Sequence, residues 1–375
     1  MNEPGRKMVV ESEGRARGAG LQGPMRLLVS LALGLATLLA LRWSYTFVQA
    51  EETPRLVAGL VALGAGVLGV WLLFWLGNDV VAHLPAGRIQ EALQPVVFVG
   101  PALLLLFAYL VYPALNTIYI SFFDERSRNF VGLENFLFAF RSPDVQIVFR
   151  NNLMWLVLVT GFSVALGLLI AVLVDRVRHE AAAKSFIFLP LAISFVGASV
   201  IWRFVYAFAP VGRPQIGVLN AIVVALGGEP VGWLIERSIN NFALIAIMIW
   251  MQTGFCMIVF SAALKSIPSE ITEAARMDGA TEVQTFFRIT LPMLQGTMIA
   301  VATTVIVAVL KVFDVVFVMT NGQFDTQVLA NRMYAEMFTF RNFGHASALA
   351  VILLVAVIPV MVINVRNLRE QRSRR

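Results

Sequence analysis

The sequence predicts an all-α polytopic membrane protein with about eight transmembrane helices. Three observations carry that expectation. Of 375 residues, 58% are hydrophobic and only 14% are charged, against about 25% charged in an ordinary soluble domain. Apolar runs recur at a length suited to a bilayer core, which is about 30 Å thick and needs roughly 20 helical residues. Lysine and arginine gather at both ends of the chain and in alternate connections between the runs, the pattern that marks the cytoplasmic side of a membrane protein.

The runs cover 27–50, 56–76, 96–122, 153–174, 186–208, 242–264, 297–320 and 346–365. The first two (27–94 with their flanks) are rich in Leu, Ala, Gly and Val. The third contains Pro101 and Pro113, which predict a kink. Residues 1–26 are rich in Gly, Arg and Glu and read as a disordered basic tail. The apolar stretch after them is too long for the core of a cleavable signal. With the N-terminus inside, the inner segments hold 17 Lys and Arg and the outer ones 9. An even number of spans places both basic tails, 1–26 and 366–375, on the cytoplasmic side. The net charge of +6 is then a matter of topology and anionic lipid, and nucleic acid is not required to explain it. The connections 123–150 and 321–344 read as ordinary outer loops. The longer 209–241 holds a short interfacial helix at 216–226. Asp175, Arg176, Arg178, His179 and Glu180 read as a solvated loop at the membrane edge.

One cysteine, Cys256, excludes an internal disulfide and a Cys-rich metal centre, and His83, His179 and His345 are too scattered for a histidine site. The chain has no G-x-x-x-x-G-K-[ST] phosphate loop, no G-x-S-x-G, no H-E-x-x-H and no paired catalytic carboxylates. Neither catalysis nor a cofactor is expected in this chain.

The most informative segment joins the sixth and seventh runs, over 266–295. Pro268 suits the first turn of a helix, and Glu270 places negative charge near that helix's N-terminus. Gly279 is placed for a left-handed helix stop. A second helix is expected from Thr281 through Phe286, Phe287 and Ile289, with Leu291-Pro292 ending it and turning the chain back to the bilayer. Two short helices meeting at a glycine result, with Ala274 and Ala275 small enough to let another backbone approach.

This segment resembles the signature of binding-protein-dependent ABC importer permeases. Glu273-Ala274-Ala275, then three residues, Gly279, nine residues, and Ile289-x-Leu291-Pro292 occupy every fixed position at that spacing. The resemblance implies the ABC type I importer transmembrane-domain fold over 95–370. It also implies a coupling loop, Asp278 among its residues, in which Glu273 makes polar contact with an ATPase, Ala274 and Ala275 pack in its groove, and Gly279 allows the bend. VGLENF at 131–136, SPD at 142–144 and NNL at 151–153 look like that family's first outer connection. LPLAISFVGASVIW at 189–202, MQTGF at 251–255, LKVFD at 310–314 and NGQFDT at 321–326 are similar to α-glucoside and maltose-type sugar permeases. The partners implied are a second permease, two ATPase subunits that bind the ATP, an extracytoplasmic sugar-binding protein, and a sugar, in a bacterial or archaeal cytoplasmic membrane.

Polar groups at membrane depth are costly and usually face a cavity or a partner. Lys311 and Asp314, three positions apart in the seventh run, are expected to share a helix face, either neutralising each other or lining the path. Gln252 and Thr253, with Gly254 giving close approach, are further candidates for the path, and Asn220, Trp202, Tyr206 and Phe313 weaker ones. Two alternatives remain open at this point. One is an ABC permease for another solute, an oligosaccharide or glycerol phosphate. The other is an ion-coupled secondary transporter, which only Lys311 and Asp314 favour.

Overall fold

The computed structural model describes residues 22–50, 53–82, 87–175 and 177–373. The tail expected over 1–26 therefore lies largely outside the described residues. Among those described, the chain is helical, with one isolated antiparallel bridge between Phe123 and Phe130. Six helices are long and apolar enough to cross a bilayer, or eight when each of two sharply bent helix pairs is one span. The chain divides into two compact units between Ala114 and Leu115, inside the third apolar stretch, whereas the sequence reading sets the edge near residue 95.

The first unit holds α1 (Gln22–Gln49), α2 (Arg55–Ala82), α3 (Arg88–Leu106), a π turn (Phe107–Val111) and the start of α4 (Tyr112–Ile120). Helices α1 and α2 are apolar on almost every side, as expected of helices that face lipid. Ser30 Oγ donates to Asp79 Oδ2 at 2.6 Å, joining the two across their interface. No bend above 40° breaks the third span, and α3 to α4 runs as one 31-residue span through the π turn. The π turn ends at Val111, two residues before Pro113, with the Tyr112 N–H donating to Phe107 O.

The second unit is built round a long crossing of α6 (Pro143–Val174) and α10 (Asn240–Lys265). A Cβ on Gly167 would overlap Cys256 and come within 3.0 Å of the Met257 backbone nitrogen, so hydrogen alone permits this approach. Trp155, Val159, Leu244, Ile247, Met248 and Phe260 form the buried centre. Between them in sequence come α7 (Glu180–Phe188), a 3₁₀ turn (Leu189–Ala192), α8 (Phe195–Val205) and the short α9 (Val218–Ala225). The fifth span is broken: its halves meet at 100° across Ile193 and Ser194, and Ser194 caps α8 by accepting from the Gly197 amide at 3.0 Å.

Three loop expectations are corrected. The stretch 123–150 contains α5 (Glu134–Arg141) and the first turns of α6. Hydropathy starts the fourth span too late because Arg150, Asn151 and Asn152 interrupt the apolar run. The stretch 321–344 contains α16 (Leu329–Tyr334) and a π turn (Ala335–Thr339), before α17 (Phe343–Ser373). Arg178 and His179 are exposed as expected, whereas Asp175 and Glu180 are only partly so, at 16% and 29% of the side chain, and both take part in ion pairs. Arg176 lies outside the described residues.

Candidate functional site

The 266–295 segment folds as an elbow. Helix α11 (Ser269–Met277) ends in a complete Schellman stop, with Gly279 N–H donating to Arg276 O and Ala280 N–H to Ala275 O, both at 3.0 Å. Gly279 has φ +82°, with nothing within 4 Å of where a Cβ would stand; its hydrogen is needed for backbone conformation, not for space. Thr281 then opens α12 (Glu282–Thr285) through a reciprocal capping box with Gln284. Arg276 Nε donates to Glu282 Oε1 at 2.9 Å and ties the two helices together. Each joint is a local device, which is why the sequence specifies it.

One detail differs from expectation. Leu291-Pro292 does not end the second helix. A π turn (Phe286–Thr290) leads into α13 (Leu291–Met293), and the chain turns by 67° only at Leu294, before α14 (Gln295–Leu310). Ala275 is buried against the elbow's own interior, while Glu273, Ala274 and Asp278 are exposed. Met277, 88% exposed, and Val283 and Phe287 are exposed apolar side chains on the same elbow.

The second feature lies where α14 stops. The seventh span does not continue as one helix. Lys311 is the C-cap of α14 and Asp314 the first residue of α15 (Asp314–Met319), with Phe313 at φ −138° and ψ −56° between them. The two charges therefore stand at opposite helix ends, each with the sign that the local backbone dipole favours, and do not share one helix face. Among the described residues no ion pair joins them or gives either another partner. Both line one small cleft with Phe195, Met248, Ala308 and Phe313. Its volume, about 40 Å³, holds a few water molecules at most, so admitting a larger solute requires movement at the break.

The other candidates are placed elsewhere. Gln252 and Thr253 are buried in α10, and Thr253 Oγ1 donates to Ile249 O at 2.7 Å. Gly254 gives the expected close approach, but to the protein itself: a Cβ there would lie 2.5 Å from Ile187 O and 2.9 Å from Phe188 Cα. Asn220 is a brace, donating to Ala207 O and Val231 O and accepting from Val231 N–H and Trp233 Nε1. Tyr206 is buried with its hydroxyl on Ala243 O, and Trp202 packs edge-on against Trp250. Three rings that the sequence reading did not single out join Phe313. Phe317 stacks on it at 4.9 Å, Tyr334 lies 5.3 Å from both, and Phe338 continues from Tyr334 at 4.7 Å. Their i, i+4 spacing within each helix was the available signal; the pairing across helices had none.

Beyond α15 the chain is held from afar. Asn321, Gly322, Phe324 and Asp325 all have positive φ. Asn151 Nδ2 donates to Asp325 O at 2.7 Å and to Gln327 O at 2.9 Å, Asn240 Nδ2 to Phe324 O at 2.7 Å, and Asn152 Oδ1 accepts from Leu329 N–H at 2.7 Å. Further on, Arg332 Nη2 pairs with buried Glu336 at 2.8 Å, His345 Nδ1 lies 3.5 Å from the same carboxylate, and the His345 ring stacks on Phe138 at 3.7 Å.

Residues 163–375, which include both the elbow and the break, match the family described as binding-protein-dependent transport system inner membrane component. The chain belongs to that family. It is an ABC transporter permease, a membrane subunit and not itself an enzyme. The permease is 62% identical over 279 residues to the osmoprotective compounds uptake permease protein GgtC of Synechocystis sp., covering 74% of this chain and 100% of that one. It is 44% identical to the alpha-glucoside transport system permease protein AglF of Rhizobium meliloti, over 84% of this chain and 97% of that one. A crystal structure of a bacterial ABC transporter involved in the import of the acidic polysaccharide alginate contains a chain of the same fold. That chain superposes with a TM-score of 0.65 at 22% identity, over 76% of the permease and 99% of its own length.

Proposed function

We propose that this permease carries a sugar of the α-glucoside or maltose/trehalose type across the cytoplasmic membrane, with both termini inside. It would act with a second permease, two ATPase subunits and an extracytoplasmic binding protein. The observation that carries the reading is the elbow: a locally braced two-helix handle on which Glu273, Asp278, Met277, Val283 and Phe287 are all exposed. ATP is bound by the partner. Closure of the ATPase dimer moves the elbow, and the elbow biases the permease between inward- and outward-facing arrangements. Lys311 and Asp314 hydrogen-bond the sugar at the break, and Phe313 with its neighbouring rings supplies apolar ring faces to it. Gln252, Thr253 and Gly254 position α10 beside the fifth span instead of contacting solute.

A second reading, an osmoprotective compound as solute, is favoured by the 62% identity to a permease for such compounds. Purification in detergent with identification of the co-purifying chains tests the assembly. ATPase stimulation by maltose, trehalose or an osmoprotective glycoside, each with the binding protein, separates the two solutes. Uptake that survives ATP depletion and collapses with an ionophore would sink both readings in favour of an ion-coupled carrier.

A further inference from the structure

A chain of ion pairs lies between the stem of the elbow and the broken fifth span. Lys184 Nζ donates to Asp175 Oδ1 at 2.6 Å and bonds Glu180 and Ser261; Ser261 Oγ donates to Asp175 Oδ1 at 2.7 Å; and Glu180 Oε1 also takes Lys265 Nζ. Lys184 and Asp175 are each 16% exposed. Three elements meet here. Asp175 follows α6. Glu180 and Lys184 lie on α7, the first half of the broken span. Lys265 is the last residue of α10, directly ahead of the elbow. The inner pair of Lys184 and Asp175 is largely withdrawn from water, where an ion pair rarely repays its desolvation in stability, while the outer pair of Glu180 and Lys265 is more open, with side chains 29% and 54% exposed. What distinguishes the cluster is that it joins three elements by charge.

The surroundings give that link a role. Beneath the elbow is a cavity of about 190 Å³ bounded by Val172, Asp175, Leu264, Thr272, Arg276 and Phe286, so the elbow is not packed solid against the helix ends and has room to shift. At its other end, α7 is pressed on α10 at Gly254, and beyond the break Phe195 borders the cleft of Lys311 and Asp314. Displacement of the elbow stem at Lys265 thus reaches α7 through Glu180 and Lys184, and reaches the cleft through the 100° joint.

We propose that Lys265, Glu180, Lys184 and Asp175 form a latch of positioning residues that transmits movement of the elbow to the broken span beside the solute path. The proposal rests on the reading of the elbow as the handle of the ATPase. The test needs no knowledge of the solute. Ala308→Cys places a thiol in the cleft lining, and the native Cys256 is buried. In the assembled complex in liposomes, labelling of that thiol by a charged methanethiosulfonate is timed with and without MgATP plus vanadate. With the latch intact, nucleotide changes the rate by about fivefold or more, the lower end of ordinary allosteric coupling. Lys265→Glu and Glu180→Lys each erase the response while ATPase association persists, and Lys265→Arg retains it. If either single reversal prevents assembly, Lys265→Gln and Glu180→Gln replace them, and their double-mutant cycle must then show coupling. A response that survives the single changes overturns the latch. No response with the latch intact overturns the handle itself, and the latch with it.

Discussion

The elbow at 266–295 and the segment at 321–345 are both departures from simple spanning helices, yet they are built in opposite ways. Every joint of the elbow is made by residues within six positions of each other: the Schellman stop, the capping box and the Arg276–Glu282 pair. The segment past α15 is held by asparagines more than eighty positions away, which donate to the carbonyls of Phe324, Asp325 and Gln327. One is a prefabricated part that can be moved as a unit. The other has local bonds of its own, such as Thr320 to Thr326, but is tied besides to α6 and α10. The difference suits a handle on one side and a fixed frame on the other.

The strongest attempt to break this comparison is Gly279→Pro. Proline fixes φ near −65°, whereas this position needs +82°, and the substitution removes the amide bonded to Arg276 O. Membrane insertion and the melting transition of the permease should be almost unchanged, while solute uptake falls by about a hundredfold, as complete loss of a coupling term allows. Glu273→Lys should do the same without touching the bend, since Glu273 is exposed. Normal uptake with either variant would mean that the elbow is not the handle.

Asn151→Ala should do the reverse, lowering stability first. It is fully buried and is the donor for two carbonyls. Asp325 O keeps a longer bond from Asn241 Nδ2 at 3.3 Å, but Gln327 O loses its side-chain donor; leaving a buried acceptor unpaired costs about 1–3 kcal/mol, and a loss of about that size should appear as a lower melting temperature in detergent. A melting point within a degree of the parent would show that the segment does not depend on α6.

These two regions also measure what the sequence discloses. Gly279, Thr281 and Gln284 carry their structural instruction in their own chemistry and spacing, so the elbow is legible from the order of its residues alone. The break at Lys311–Asp314 is not. Its residues are as apolar on average as a continuous span, and only the tertiary setting converts the two charges from one helix face to two helix ends. Asn151 and Asn152 look like polar loop residues until their partners, some 175 positions away, are brought to them. The ion-paired cluster from Asp175 to Lys265 misleads for the same reason: charge at a membrane edge reads as solvated unless the counter-charges from a distant helix are known.

A smaller effect separates the frame by pH. Burial alone would raise the Glu336 carboxyl, but the hydrogen bond to His345 and the charge of Arg332 outweigh it and hold it below its ordinary value. A carboxylate depressed in the folded state contributes stability that is present above its unfolded pKa and is lost as pH falls through the folded one. Acidification should therefore weaken the frame through this group. Glu336→Gln should remove that acid-dependent part of the melting curve. An unchanged acid limb would show that the pair with Arg332 contributes nothing to it.

The finest distinction comes from Gly279→Ala. No atom stands within 4 Å of the new methyl, so the only cost is the left-handed backbone, about 1 kcal/mol for an L residue. That is too little to unfold the elbow but enough to make its opening about fivefold more frequent. Amide exchange at Ala280, whose N–H closes the Schellman stop on Ala275 O, should accelerate by that factor. Exchange at Leu329, bonded to Asn152, should not change, because nothing in the elbow's local bonding reaches the frame. Acceleration at both amides would show that the elbow and the frame open together and would erase the contrast between a movable part and a fixed one.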